Sequence, residues 1–305
     1  MAYNTGICNS FGELKTALIN CCVSNGWTST TDGSNDVIYK GNLYVMLNSS
    51  TTYFKATGRT GINEGSAPGS VGIGNFHVYN SSYVCPGAVT FPVTYFCFTY
   101  NDIDEVYFVI EYNSMYQWLA FGKSNIILPG TGLWVAGTMG SSNAQNIKIK
   151  TDGDTYSSYI YHTSTALFWS NNICDDSYGN SAKNYWLHSN INAAYPWSLG
   201  TNNYYSDAVG IKYLTSYLHG QPNEFNQQAL LLPILAYHTS AIYPGHYTLV
   251  AHVQKARHIK INYLDPEMIL YHGNEQWVVF PWFKKEYQSP YSTGLSVVTH
   301  TGNFG

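Results

Sequence analysis

After one short helical signature near its start, this chain is patterned almost entirely at period two, and that alternation limits what it can fold into more than any other feature. "DVIYKGNLYVML", "TTYFKAT", "GNFHVYN", "VTYFCFTY" and "EVYFVIEYN" follow one another before residue 115, each dense in β-branched and aromatic residues. Such segments are predicted strands. The first contains Lys40-Gly41-Asn42, where a Gly-Asn pair tolerates positive φ, so it reads as a hairpin. "YQWLAFGKSNI" continues the sheet from Tyr116, and "LPGTGLWVAGTMGSS" reads as a turn and a short strand. "INEGSAPGSVGIG" is glycine-rich and reads as a surface loop.

The helical signature is "SFGELKTALINCCVSNG". Phe11, Leu14, Leu18 and Cys21 or Cys22 recur at helical spacing, and Ser10 with Glu13 forms the S-x-x-E capping pattern. Asn25-Gly26 supplies a left-handed stop. The spacing predicts an amphipathic helix from about Phe11 to Ser24, with Trp27 closing over its end.

Residues 143–207 are the least patterned, rich in Asn, Ser and Tyr, and read as long loops. From Gly210 order returns with "ALLLPILAY", "HYTLVAHV", "RHIKINYL", "EMILYHG" and "QWVVFPWF". Pro233 marks an edge or bulged strand, because proline cannot donate to a ladder. In "EQWVVFPWFKK" the pattern predicts a strand from Gln276 to Phe280, ended by Pro281, with Trp282 and Phe283 at a corner. Lys284 and Lys285 are expected to return to solvent or to meet a neighbouring subunit. The fold expected is mainly β: a small α+β N-terminal region with one amphipathic helix (residues 1–125), then a larger antiparallel β-sandwich-like region with long loops (residues 126–305).

Charged residues make up only 10% of the chain, against about 25% in ordinary soluble domains. Aromatics reach 16%, with 28 tyrosines. The expected surface is therefore polar without being charged. A net charge of −4 argues against broad attraction to nucleic acid or an anionic membrane. The opening "MAYNTGICNSFGELK" lacks the pattern of a signal peptide, and no run of about 18 apolar residues suggests membrane insertion. Six cysteines, Cys8, Cys21, Cys22, Cys85, Cys97 and Cys174, are too sparse for a disulfide scaffold and lack C-x-x-C spacing, so reduced thiols are expected.

Candidates for chemistry are weak. Asp102, Asp104 and Glu105 in "YNDIDEVYF" supply the carboxylates glycoside hydrolysis needs, but they lie at a turn before a strand, where aspartates capping their own backbone explain them without chemistry. "TDGDTYS" lacks the frame of a calcium loop. His252 and His258 would stand about 20 Å apart on a continuous strand at about 3.3 Å per residue, too far to share an ion. Neither a G-x-S-x-G nor a phosphate-loop motif occurs, so no enzyme activity and no cofactor are expected. The loop aromatics Tyr178, Tyr185, Trp186, Tyr195, Trp197, Tyr204 and Tyr205 lie among Asn, Ser and Gly, the palette of adaptable contact surfaces. They are candidate binding residues for sugar rings or neighbouring subunits; the competing reading is that they tie the loops to their own domain.

The assembled segments resemble a family of tailed-bacteriophage virion structural proteins. "YNTGICNSFGELKTALINCCVSNGWT" resembles the family's opening, and "DEVYFVIEYNSMYQWLAFGKSNI" with "LPGTGLWVAGTMGSS" its middle. "QPNEFNQQALLLPI", "VQKARHIKINYLDPEMILYHGNEQWVVFPWFKK" and "HTGNFG" resemble the closing third. These segments cover about half of the chain, and residues 143–207 match least. The resemblance implies a component of the phage tail tip or baseplate, made in the host cytoplasm. Its implied partners are further copies of itself and neighbouring tail or baseplate proteins; a receptor-binding protein contacting host glycan or pilus is the alternative. It carries no catalytic residues across.

Overall fold

The structure is a computed structural model that describes residues 1–75, 83–84, 88–141, 149–150, 183–191, 196–199, 209–210, 225–226, 228–239, 247–261, 263–281, 285 and 293–298. The helix forms where the capping pattern places it. Helix α1 spans Phe11–Val23; Ser10 Oγ accepts from the Glu13 amide at 3.1 Å. The Glu13 carboxylate answers by accepting from the Asn9 amide at 2.7 Å, one residue further out than the usual reciprocal bond. Gly26 takes φ +85°, and the Trp27 amide donates back to Cys22 O at 3.1 Å, closing the end. Phe11, Leu14, Leu18, Cys21 and Cys22 are buried on one face. Trp27 covers the helix end and meets Phe121 edge-on at 5.3 Å. Ser10→Ala is expected to cost about 1 kcal/mol through loss of the cap. An unchanged urea midpoint would count against the cap.

The other regular elements among the described residues are strands. In the first half they are β1 (Ala2–Cys8), β2 (Thr28–Asp32), β3 (Asn35–Lys40), β4 (Leu43–Ser49), β5 (Tyr53–Arg59), β6 (Val71–Gly74), β7 (Tyr83–Val84), β8 (Val93–Tyr100), β9 (Glu105–Tyr112) and β10 (Met115–Lys123). There follow β11 (Leu133–Ser141), β12 (Ile149–Lys150), β13 (Lys183–His188), β14 (Trp197–Leu199) and β15 (Val209–Gly210). The last are β16 (Leu232–Thr239), β17 (Tyr247–Lys260), β18 (Ile269–His272), β19 (Glu275–Pro281) and β20 (Thr293–Val298). Two-residue turns set the register. Lys40 pairs with Leu43 across Gly41-Asn42, and Gly41 has φ +59°. Tyr112 pairs with Met115 across Asn113-Ser114, both at positive φ, as a type I′ turn requires.

Every pairing among the described strands is antiparallel. The larger sheet runs β1-β8-β9-β10-β11-β6-β5-β4-β3-β2, with β13 and β14 added beside β11; a second sheet runs β15-β16-β17-β20-β19-β18. Side chains of the strands β8 to β11 alternate between two cores. On one face Cys97, Val106, Phe108, Ile110, Leu119, Phe121 and Val135 pack with α1 and with residues of β3 to β6. The sheet thus folds back over itself around the helix. On the other face Phe98, Tyr107, Val109, Trp118 and Trp134 pack with Ile234, Val253, Trp277 and Phe280 of the second sheet. The middle strands are covered on both sides, which is why "EVYFVIEY" is apolar almost throughout. The protein is mainly β, antiparallel and sandwich-like, as the sequence predicts.

Several local expectations change. The boundary near residue 125 does not separate hydrogen-bonded units, because β11, β13 and β14 complete the first sheet. "INEGSAPGSVGIG" is not all surface loop: Val71–Gly74 forms the buried strand β6. It fits there through backbone contact, since a Cβ on Gly72 would lie 2.2 Å from Phe54 O, and one on Gly137 would lie 2.5 Å from Gly72 N. Pro233 does sit at a bulge, between shifted registers of β16 and β17. Lys285 turns inward, not to solvent. Its Nζ donates to Leu264 O at 2.5 Å and lies 3.6 Å from Asp265. Trp282, Phe283 and Lys284 lie outside the described residues.

Candidate functional site

The most developed polar arrangement lies where the two sheets meet. On β17 the pairing with β16 passes from Val253↔Ile234 to Arg257↔Pro233, so Gln254, Lys255 and Ala256 bulge out of that ladder. Glu105, the first residue of β9, faces this bulge and is fully buried. Its Oε1 accepts from the Gln254 amide at 2.8 Å; its Oε2 accepts from the Lys255 amide at 3.0 Å and from Tyr107 Oη at 2.6 Å. One carboxylate thereby satisfies two main-chain donors that the bulge has taken out of register with β16. The bulge's carbonyls are met from the other side. Arg257 Nη1 donates to Gln254 O and Ala256 O, each at 2.8 Å, and the guanidinium lies 5.1 Å from the Trp277 ring centre.

Electrostatics here are dominated by burial. It pushes the Glu105 carboxyl up to about 7, against the opposing pull of the Gln254, Tyr107 and Lys255 bonds. Burial and the neighbouring Glu105 charge also raise the Tyr107 and Tyr100 phenols. The other two carboxylates of the turn carry partners as well. Asp102 lies 3.2 Å from Lys255 Nζ and Asp104 lies 2.6 Å from Lys40 Nζ. A cleft of about 510 Å³ opens above them, bordered by Asn42, Asp102, Asp104, Lys123, Gly130 and Gln254. The three carboxylates weighed for hydrolysis are thus an ion-paired rim and a buried brace. Sequence reading missed the brace. Glu105 is visible there only as a strand-opening acid, and its partners lie about 150 residues away.

The predicted contact aromatics fare differently. Tyr178, Tyr195, Tyr204 and Tyr205 lie outside the described residues. Tyr185 is on β13, opposite Ala136 of β11. Trp186 and Trp197 are packed in the interior of this chain, not presented at its surface, and both join the core shared with the helix. The reason is local fit. Gly58 leaves room for the Trp197 ring, since a Cβ there would meet that ring at 2.6 Å, and Trp197 Nε1 donates to Gly65 O at 3.0 Å. His188 lies 4.8 Å from the same ring, and its Nδ1 accepts from the Thr131 amide at 3.0 Å. Burial lowers the His188 pKa, which favours the neutral ring.

The bulge also shortens the spacing of His252 and His258. They pair with Leu235 and Leu232, about 10 Å apart along β16 at about 3.3 Å per residue. Among the described residues no group of three His, Cys, Asp or Glu side chains is placed to hold a metal ion. No helix among them is long and apolar enough to cross a membrane. No protein-family model matches the chain, and no curated protein matches it in sequence.

Proposed function

We propose that this chain is a structural component of a bacteriophage virion, of the tail tip or baseplate, working through repeated contacts between subunits. The observation that carries a structural role is the use made of Glu105. The site's most buried acid closes a backbone bulge and joins two sheets, where a catalytic acid would face an open cleft. The charge-poor composition supports the same reading, because uncharged polar surface is cheaper to desolvate between subunits than charged surface. The segments that resemble tail proteins supply the viral setting.

The reading has a direct test. Peptides of this chain are expected in mass spectra of particles purified from phage whose genome encodes it, at a fixed ratio to the other tail proteins. Recovery of the chain only from the soluble lysate, with none in mature particles, would refute the proposal. A second reading, a receptor-binding tail protein, draws on the exposed rings of Tyr263 and Tyr271. It predicts that the purified protein binds host cells and blocks adsorption. The enzyme alternative predicts release of reducing sugar from host polysaccharide that Asp102→Asn abolishes; the expected result is no release from the unaltered protein.

A further inference from the structure

The loop joining β10 to β11 is held at both ends and turned outward at its tip. At its start the Ser124 amide donates to Gly132 O at 2.8 Å. Ser124 Oγ donates to Val250 O of β17 at 2.7 Å and accepts from the Ile126 amide at 3.1 Å. At its end the Thr131 amide donates to His188 Nδ1 and the Gly132 amide to His188 O, each at 3.0 Å. Between these anchors Leu128 packs against the core shared by the two sheets, while Ile127 is 99% exposed, the most of any large apolar residue among those described.

A single exposed isoleucine is common on protein surfaces. Ile127 is not single. It stands on the wall of the cleft of about 510 Å³ described above, where Ile103, Ile126 and Leu128 are half-buried beside it. Charges of both signs edge this apolar surface. The ion pair with Lys255 leaves the Asp102 side chain 60% exposed on the rim, and Lys123 is exposed on the same rim. One patch thus carries a protruding apolar residue and a recess, and an acid and a base, side by side.

We propose that this face binds a second copy of the chain about a two-fold axis, each copy's Ile127 entering the other's cleft and each Lys123 meeting the other's Asp102. A patch that holds both halves of a contact is complementary to itself, which is the condition a two-fold interface sets. A rim of one sign would repel its own copy; a rim with an acid and a base attracts it, and the crossed pairs fix the register. The anchored loop keeps the entropic cost of docking low, because the backbone that carries Ile127 is already held in place. The pairing rests on the assembly role proposed above and supplies a surface for it.

Sedimentation of the purified full chain over a dilution series tests the pairing, separately from the mass spectra of particles that test the virion assignment. The expected result is a reversible monomer–dimer equilibrium. Ile127→Asp, at an exposed site where the fold loses no packing, is expected to weaken it about a hundredfold, because the two-fold loses two buried side chains worth roughly tenfold each. Lys123→Asp alone and Asp102→Lys alone are each expected to stay monomeric, since like charges then face one another twice. Mixed in equal amounts, the two variants are expected to pair, since every acid then meets a base. A misfolded variant does not regain association on mixing, so this arm separates a lost contact from a lost fold. An unaltered chain that stays monomeric at every concentration would overturn the proposal and leave the cleft to a ligand from outside. An equilibrium indifferent to Ile127→Asp, or variants that do not pair when mixed, would overturn it equally.

Discussion

Glu105→Ala is expected to lower the stability of this protein by about 3 kcal/mol at neutral pH, since buried donors stripped of their acceptor cost about 1–3 kcal/mol each. The donors are the Gln254 and Lys255 amides and the Tyr107 hydroxyl, and Glu105 is fully buried, so bulk solvent does not stand in for the lost oxygens. Some of this loss is offset by removing a charge that burial disfavours. The pH dependence isolates that offset. With the folded carboxyl raised to about 7, the native state holds a proton that the unfolded chain gives up near 4.5. The acid's contribution is thus fully present below about 4.5, falls as pH rises to about 7, and is flat above. The change is on the order of 3 kcal/mol, because each pH unit between the two values is worth about 1.4 kcal/mol. Urea unfolding of wild type and variant across this range should show their gap narrowing as pH rises. A gap that widens would mean that the three hydrogen bonds outweigh burial. A cost under about 1 kcal/mol at every pH would remove Glu105 as the brace.

Trp118→Ala is expected to cost about 3–5 kcal/mol, the range for emptying an aromatic site in a packed core. Trp118 has no exposed surface; its ring meets Phe280 edge-on at 5.6 Å and its Nε1 donates to Pro281 O at 3.1 Å. It therefore ties the central strand β10 to β19 of the second sheet by both packing and a hydrogen bond. Trp118→Phe keeps most of the volume and should cost about 1–2 kcal/mol, mainly for the carbonyl left without its indole. The readout is the melting temperature together with proteolysis. Cleavage within the second sheet should rise well before the first sheet is cut. A melting temperature unchanged by the alanine variant would show that the two sheets do not depend on this contact.

What the sequence reveals here is what neighbours along the chain decide. Ser10 and Glu13 are three residues apart, so the helix start is readable, and Gly41-Asn42 announces its own turn. The β-branched and aromatic residues of "EVYFVIEY" show a strand, and its lack of polar positions reflects a second covered face that only the fold explains. Strand β2, "TSTTD", is not legible: it is polar and largely exposed, held by its ladder to β3. Strand β6 hides among glycines because close backbone approach at Gly72 and Gly137 forms it, with little side-chain pattern to mark it. Trp197 looks like a loop aromatic until Gly58, far earlier in the chain, is seen to make room for it. Glu105 is legible as an acid at a strand start; its task depends on a bulge about 150 residues later.

The order of strands in the first sheet has a consequence for how the chain is made. Strand β1 lies beside β8, and Thr5 bonds to a carbonyl 90 residues downstream, while the sheet's last strands arrive only near residue 199. A growing polypeptide at the ribosome must therefore carry its first strand unpartnered until Val93–Tyr100 has been made. Contacts so distant in sequence slow the search for the native state, because long loops must close before they are rewarded. During that wait the apolar faces of the early hairpins stay uncovered and open to other nascent chains.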